Sequence, residues 1–203
     1  GERGWTGLAN VRPQDWAEPL WTDNLERGDQ SEFLSRYLPV DWDNLPPPNQ
    51  LMPPKRIRIP AINLDATVEG LQIIDLGNSR AYETPKFIVG HIPETSNPGG
   101  SGNGWYFGHL ETRIRGEGAI FRDLPDLAAL IRGGNKVYVT VDDDRSSHLY
   151  QITNTRVIPA EQLSLTDTQE PTITLVTCVP PFTYDHRLLV EAKLVGFLPG
   201  QSS

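Results

Sequence analysis

One cysteine, one methionine and no long apolar run set the first limits on this 203-residue chain. The single thiol, Cys178, excludes an internal disulfide and every paired-cysteine zinc or redox scheme. It reads either as a small buried hydrophobe or as a working nucleophile. No stretch of roughly 18 apolar residues occurs, so these residues are expected neither to cross a bilayer as a helix nor to carry a secretory signal. Positive charge is scarce. Eighteen Lys and Arg against 26 Asp and Glu give a formal net charge of −8, which argues against a nucleic-acid binder or a polybasic membrane-surface protein. The rest, 37% hydrophobic and 22% charged, excludes a collagen-like or wholly disordered chain and suits one domain with an extension.

Composition shifts near residue 54. Residues 1–54 hold four of the five tryptophans (Trp5, Trp16, Trp21 and Trp42) and eight of the 18 prolines. Within them Leu45–Pro54 has proline at five positions, which removes ladder donors and favours a stiff, extended linker. Upstream, Asp29–Leu38 permits a short helix with Phe33 and Tyr37, and Leu34 and Leu38, at i,i+4. The extension reads as a tail or stalk packed on a domain surface, with a lid over an active site as the alternative.

From Lys55 to residue 199 the pattern is short strands with turn punctuation. Residues 56–59 alternate, 67–71 and 87–90 are further strands, and in 136–141 three valines share one face. Asp142-Asp143-Asp144-Arg145 turns the chain into a long strand from His148 to Ile158, with His148 solvated at the turn. Thr172–Cys178 is β-branched and uncharged, as a buried central strand requires, and residues 188–197 supply the last strand with Val190, Ala192 and Leu194 inward. A helical segment from Ala119 to Ile131 ends at Gly133-Gly134, and Pro125 is expected to split it into a turn and a short helix. About eight strands with one or two short helices predict a mostly β barrel or sandwich.

Cysteine chemistry on an amide needs a thiolate, a proton carrier for the leaving amine and a donor for the oxyanion. Cys178 stands where an apolar strand gives way to Val179-Pro180-Pro181-Phe182, a position both rigidly held and reachable. Four histidines compete as proton carrier. His109 ends the aromatic strand Trp105-Tyr106-Phe107-Gly108, and His91 follows Ile88-Val89-Gly90; the residues alone leave both open, with His109 ahead. His148 and His186 carry no further mark. Arg187 heads the last strand. If that strand runs antiparallel beside Cys178, its guanidinium lands near the thiol; otherwise it is a solvated arginine at a strand start.

Thr174-Leu175-Val176-Thr177-Cys178 resembles the TLxTC signature of the sortases, cysteine transpeptidases of Gram-positive-type cell surfaces. Gly108-His109 with Phe121-Arg122-Asp123-Leu124 behind it, the glycine-rich run 98–104, the first strand from Arg56 to Ala66 and Arg187-Leu188-Leu189-Val190 resemble further stretches of that family. The order His, Cys, Arg agrees, and the likeness covers roughly residues 55–198.

The resemblance implies an eight-stranded sortase-type β-barrel. It also implies His109, Cys178 and Arg187 as catalytic residues, with Thr177 in the substrate groove. The reaction implied is attack by Cys178 on the Thr–Gly bond of an LPxTG-like sorting signal, giving a thioester resolved by an amine of a cell-wall precursor or a pilin. Rival readings are a purely hydrolytic cysteine peptidase and an inactive peptide-binding barrel. No cofactor is required; calcium on Asp142, Asp143 and Asp144 is the lesser reading, since a solvated hairpin turn explains the run without a metal. The implied place is the outer face of the cell membrane, held by an anchor outside these residues. Asp15-Trp16 and Asp41-Trp42 resemble the lid motif of pilin-polymerising sortases without its proline, and the core motifs are nearer classes D, E or F.

Overall fold

The computed structural model describes residues 20–21, 31–71, 73–75, 80–82, 87–109, 119–179 and 185–200. Trp5, Trp16, Pro180-Pro181 and Phe182 lie outside them.

In chain order the elements are β1 (Leu20–Trp21), α1 (Ser31–Ser35), β2 (Arg56–Ile59), β3 (Leu64–Gly70), β4 (Ile73–Asp75), β5 (Arg80–Tyr82), β6 (Val89–His91), β7 (Asn103–Phe107), α2 (Asp126–Arg132), β8 (Tyr138–Asp142), β9 (Ser146–Pro159), β10 (Thr172–Val179) and β11 (His186–Pro199). One sheet runs β1-β9-β11-β10-β7-β6-β3-β2-β8, and a β8–β9 ladder closes eight of these strands into a ring. The expected eight-stranded sortase-type barrel is therefore present. β1 is appended to β9 beyond the end of β8, pairing at Asn154 and Thr155. β4 and β5 form a separate hairpin.

Period-two alternation decides which side chains fill the ring. On β10, Ile173, Leu175 and Val179 enter the main core, as do Leu188, Val190, Ala192 and Leu194 of β11 and Val139 and Val141 of β8. Phe121, Leu124, Leu127 and Ile131 join them, so the α2 region plugs the barrel. Each such buried aliphatic contributes roughly 1.5–3 kcal/mol. Pro125 divides the region as expected. Residues 120–125 are turns, α2 follows, and Gly134 takes φ = 82° beyond its end.

Strand limits differ from the expected ones in both directions: β3 begins early, at Leu64, whereas Phe87 is left in an exposed bend before β6. Helix α1 is shorter than the i,i+4 pattern predicts. Phe33 and Tyr37 do meet edge-to-face at 5.6 Å, but Leu38 leaves the helix to bridge Phe197 and is 54% exposed.

The extension is not detached from the barrel. Leu34 and Tyr37 are buried against Tyr138 and Leu149, and the Tyr37 hydroxyl hydrogen-bonds Ser147 at 2.9 Å. Ser147 in turn donates to Asp142, which also accepts from Arg58. Pro47 and Leu51, both extended, bracket a 3-10 turn at Pro48–Gln50 that brings Leu51 against Gly100. The linker is thus ordered, and residues 33–38 belong to the packing unit of the barrel.

Candidate active site

Cys178 is the penultimate residue of β10 and is half-buried. Its neighbour on one side is Arg187, its direct antiparallel partner on β11, which places the two Cα atoms about 5 Å apart. On the other side β7 runs parallel to β10, with Val176 opposite Phe107. The ladder continues one residue further, since the Gly108 amide donates to the Val176 carbonyl at 3.2 Å. His109 therefore stands level with Cys178. Imidazole, thiol and guanidinium are carried at the same end of three adjacent strands.

They also share a face. Val176 and Leu189 pack with Trp105 on the outer side of the sheet, so alternation assigns Cys178, Arg187 and Phe107 to that side. Gly108 points inward: a Cβ there would lie 2.5 Å from the Phe121 ring. The same alternation, carried past the end of β7, assigns His109 to the outer side. Its carbonyl accepts from the Phe121 amide at 2.8 Å, tying the histidine to the turn that follows the undescribed residues 110–118. Arg187 is half-buried, and its Nη1 donates to the His186 carbonyl at 2.9 Å. Beside Cys178 the same face carries an apolar strip: Val176 and Leu189 buried, Phe107, Ile158 and Leu163 partly covered.

The other histidines are spoken for. His91 faces the interior on β6, 2% exposed, with its ring 4.8 Å from that of Tyr106 and Nε2 donating to the Ser96 carbonyl at 3.1 Å. Burial pushes its pKa down to about 4, against smaller upward pulls from the Ser96 carbonyl and Glu94. It is neutral at pH 7, and its one ring proton is committed to the Ser96 carbonyl.

His148 is not solvated, contrary to expectation. β9 begins at Ser146, so position 148 already lies inside the ladder and turns inward, 4% exposed, with Nε2 bonded to Asp143 at 3.0 Å. His186 stays at the rim, paired with Asp185.

Thr177 also departs from the expectation of a groove-facing residue. It shares the inward face of Leu175 and Val179, is 2% exposed, and donates from Oγ1 to the Gly108 carbonyl at 2.8 Å. Its contact reaches the chain immediately before His109 instead of a groove. The acidic run is likewise engaged. Asp142 is bound by Arg58 and Ser147. Asp143 accepts from His148 and from the amides of Arg145 and Ser146, leaving Asp144 exposed. Asp41 of the second Asp-Trp pair holds its own turn through Asp43 and Asn44, and Trp42 is exposed.

Sequence reasoning missed the segment between β9 and β10. Thr166, Asp167 and Gln169 are hydrogen-bonded to the start of β7 and the residues before it, and Leu163 rests on the apolar strip. The available signal was Trp105, the one tryptophan outside the extension.

Comparison with known proteins agrees with this architecture. The profile of the family described as the sortase domain matches residues 57–195. Among solved structures, sortase C1 from Streptococcus agalactiae superposes with a TM-score of 0.51 at 23% identity, over 70% of this chain and 66% of that one. The Clostridium perfringens sortase D5 transpeptidase gives 0.53 at 22% identity over 70% and 78%. A lid mutant of sortase A from Corynebacterium diphtheriae gives 0.52 at 24% over 69% and 68%. The chain spans just under two thirds of the streptococcal enzyme. Among curated proteins none matches.

Proposed function

The chain belongs to the sortase family, and on that premise we propose that Cys178, His109 and Arg187 make it a cysteine transpeptidase acting on LPxTG-like sorting signals. Sortases act at the surface of the cell envelope, and the proposed location is its extracytoplasmic face, with the anchor outside these residues. The observation that carries the reading is the strand register. Arg187 is the direct partner of Cys178, and His109 is level with it on the opposite neighbour.

In the proposed reaction the Cys178 thiolate attacks the Thr carbonyl carbon of the Thr–Gly amide. Arg187 donates to the oxyanion that forms or to the neighbouring substrate carbonyl. As the C–N bond breaks, the His109 imidazolium gives its proton to the departing glycine amine, leaving an acyl thioester on Sγ and a neutral imidazole. An amine of a cell-wall precursor or a pilin then attacks the thioester carbon, His109 takes a proton from that amine, and the thiolate leaves. Water in place of the amine gives hydrolysis. No step needs a metal or an organic cofactor.

Incubation of the protein with an LPxTG-type peptide, with and without an added amine, followed by mass spectrometry, tests this directly. The expected products are a thioester adduct at Cys178 and an amine-dependent ligation product. Cys178→Ala is expected to retain the fold and to lose both. Full ligation by the Ala variant would overturn the assignment, and hydrolysis indifferent to amine would select the peptidase reading.

A further inference from the structure

The segment between β9 and β10 crosses the same outer face that carries Cys178, and what holds it there is a set of hydrogen bonds unrelated to the catalytic groups. The indole Nε1 of Trp105 donates to the Thr166 carbonyl at 3.0 Å, and Asn103 Nδ2 donates to the same oxygen at 3.2 Å. The Asn103 amide donates to Asp167 Oδ1 at 2.9 Å, and Ser101 Oγ donates to the Gln169 carbonyl. Asn103 is itself fixed by a reciprocal pair with Thr174 on β10. Beneath these bonds Trp105 is 1% exposed and packs with Val176, Leu189 and Leu163 in the strip that begins beside the thiol.

We propose that Trp105, through the Thr166 carbonyl, and Asp167, through the Asn103 amide, are positioning residues: together they hold residues 163–169 as a preformed wall over the apolar strip, so that an incoming sorting peptide meets a shaped groove and not one it must first order. The inference rests on the transpeptidase reading and deepens it. Trp105 lies four residues before His109 on β7, too far along the strand to touch the scissile bond, about 13 Å at strand rise. Its effect falls on peptide binding. A loop that must be ordered on binding lowers affinity by the fraction of time it is out of place. Each bond lost from the clamp therefore raises KM and leaves kcat alone.

Trp105→Phe keeps an aromatic ring in the apolar strip and removes the indole donor together with part of its bulk, so Asp167→Ala serves as the variant without a packing change. Asp167→Ala removes an exposed carboxylate that touches neither core nor thiol. Steady-state cleavage of an LPxTG-type peptide is expected to show KM raised about three- to tenfold in each variant and further in the double variant, with kcat within about twofold of wild type. Amide hydrogen exchange over residues 163–169 is expected to quicken about tenfold in both, with β10 and β11 unchanged.

A wild-type chain that cleaves the peptide, with both variants matching it in KM, overturns this inference and leaves the transpeptidase reading intact. A fall in kcat at unchanged KM also overturns it. Unchanged exchange over 163–169 overturns it whatever the activity, whereas a wild-type chain inert toward sorting peptides overturns the transpeptidase reading instead.

Discussion

His91 provides a test in which acid should act on the fold and not on the chemistry. In the unfolded chain its imidazole titrates near 6.5; in the folded protein burial on β6 lowers that to about 4. The folded-state value is depressed, so between these pH values the unfolded chain holds a proton that the folded chain refuses. Stability is complete above about pH 6.5 and falls as the pH drops toward 4. At pH 4.5 the loss from this one ring is about 2 to 3 kcal/mol, and it levels off between roughly 3 and 4 kcal/mol well below pH 4.

Other groups titrate too. On Asp143 burial pushes the carboxyl upward, but the bond from His148 and those from the Arg145 and Ser146 amides outweigh it, and the net shift is downward. That contributes its own acid sensitivity, so the comparison needs a variant that cancels it. His91→Gln keeps an N–H for the Ser96 carbonyl and removes the titration. Urea unfolding at pH 7.5 and pH 4.5 is expected to show wild type losing about 2 to 3 kcal/mol more than His91→Gln between the two conditions, although the variant starts less stable through lost packing on Tyr106. Equal losses would refute the argument and return His91 to contention as an exposed, titrating residue.

Other outcomes follow from the same geometry. His109→Ala and Arg187→Ala are each expected to cost several orders of magnitude in kcat/KM toward a sorting peptide, while His186→Ala, at the rim with Asp185, stays within about threefold; a large loss confined to His186 would displace His109 from its role. Gly108→Ala sets a Cβ 2.5 Å from the enclosed Phe121 ring one residue before His109, and is expected to lower kcat at least tenfold, read against the thermal midpoint. Leu34→Ala, buried at 2% in the contact between the extension and β8–β9, is expected to cost about 3 kcal/mol in urea unfolding with kcat/KM within about twofold; an unchanged midpoint would mean the extension is not part of the folding unit.

How far the fold was legible follows from how local each signal is. The uncharged run 172–178, the valines of 137–141 and the alternation of 188–197 state their faces outright, because a strand's faces are fixed by successive residues. Pro125 announced its own effect for the same reason. His148 misled because it stands three residues past the turn ending at Arg145, where a shift of strand start by two positions converts a solvated side chain into an enclosed one. Thr177 was placed by resemblance. The structure turns its hydroxyl to Gly108 because its neighbours Val176 and Cys178 take the outer face. The convergence of His109 with Cys178 rests on a parallel pairing that no local pattern encodes, and the clamp at Trp105 joins segments about 60 residues apart, for example Trp105 to Thr166 at a separation of 61.

That parallel pairing of β7 with β10 has a consequence in time. Gly108 and Thr177, which meet at the site, are 69 residues apart in sequence. A chain made from its amino end completes the strand of the imidazole long before that of the sulfur. The two are brought level only when the ring of strands shuts, and distant pairings of this kind are the slow steps of β folding. Until then Cys178 has neither His109 nor Arg187 beside it, so on the proposed assignment any activation of the thiol is acquired only with the finished barrel.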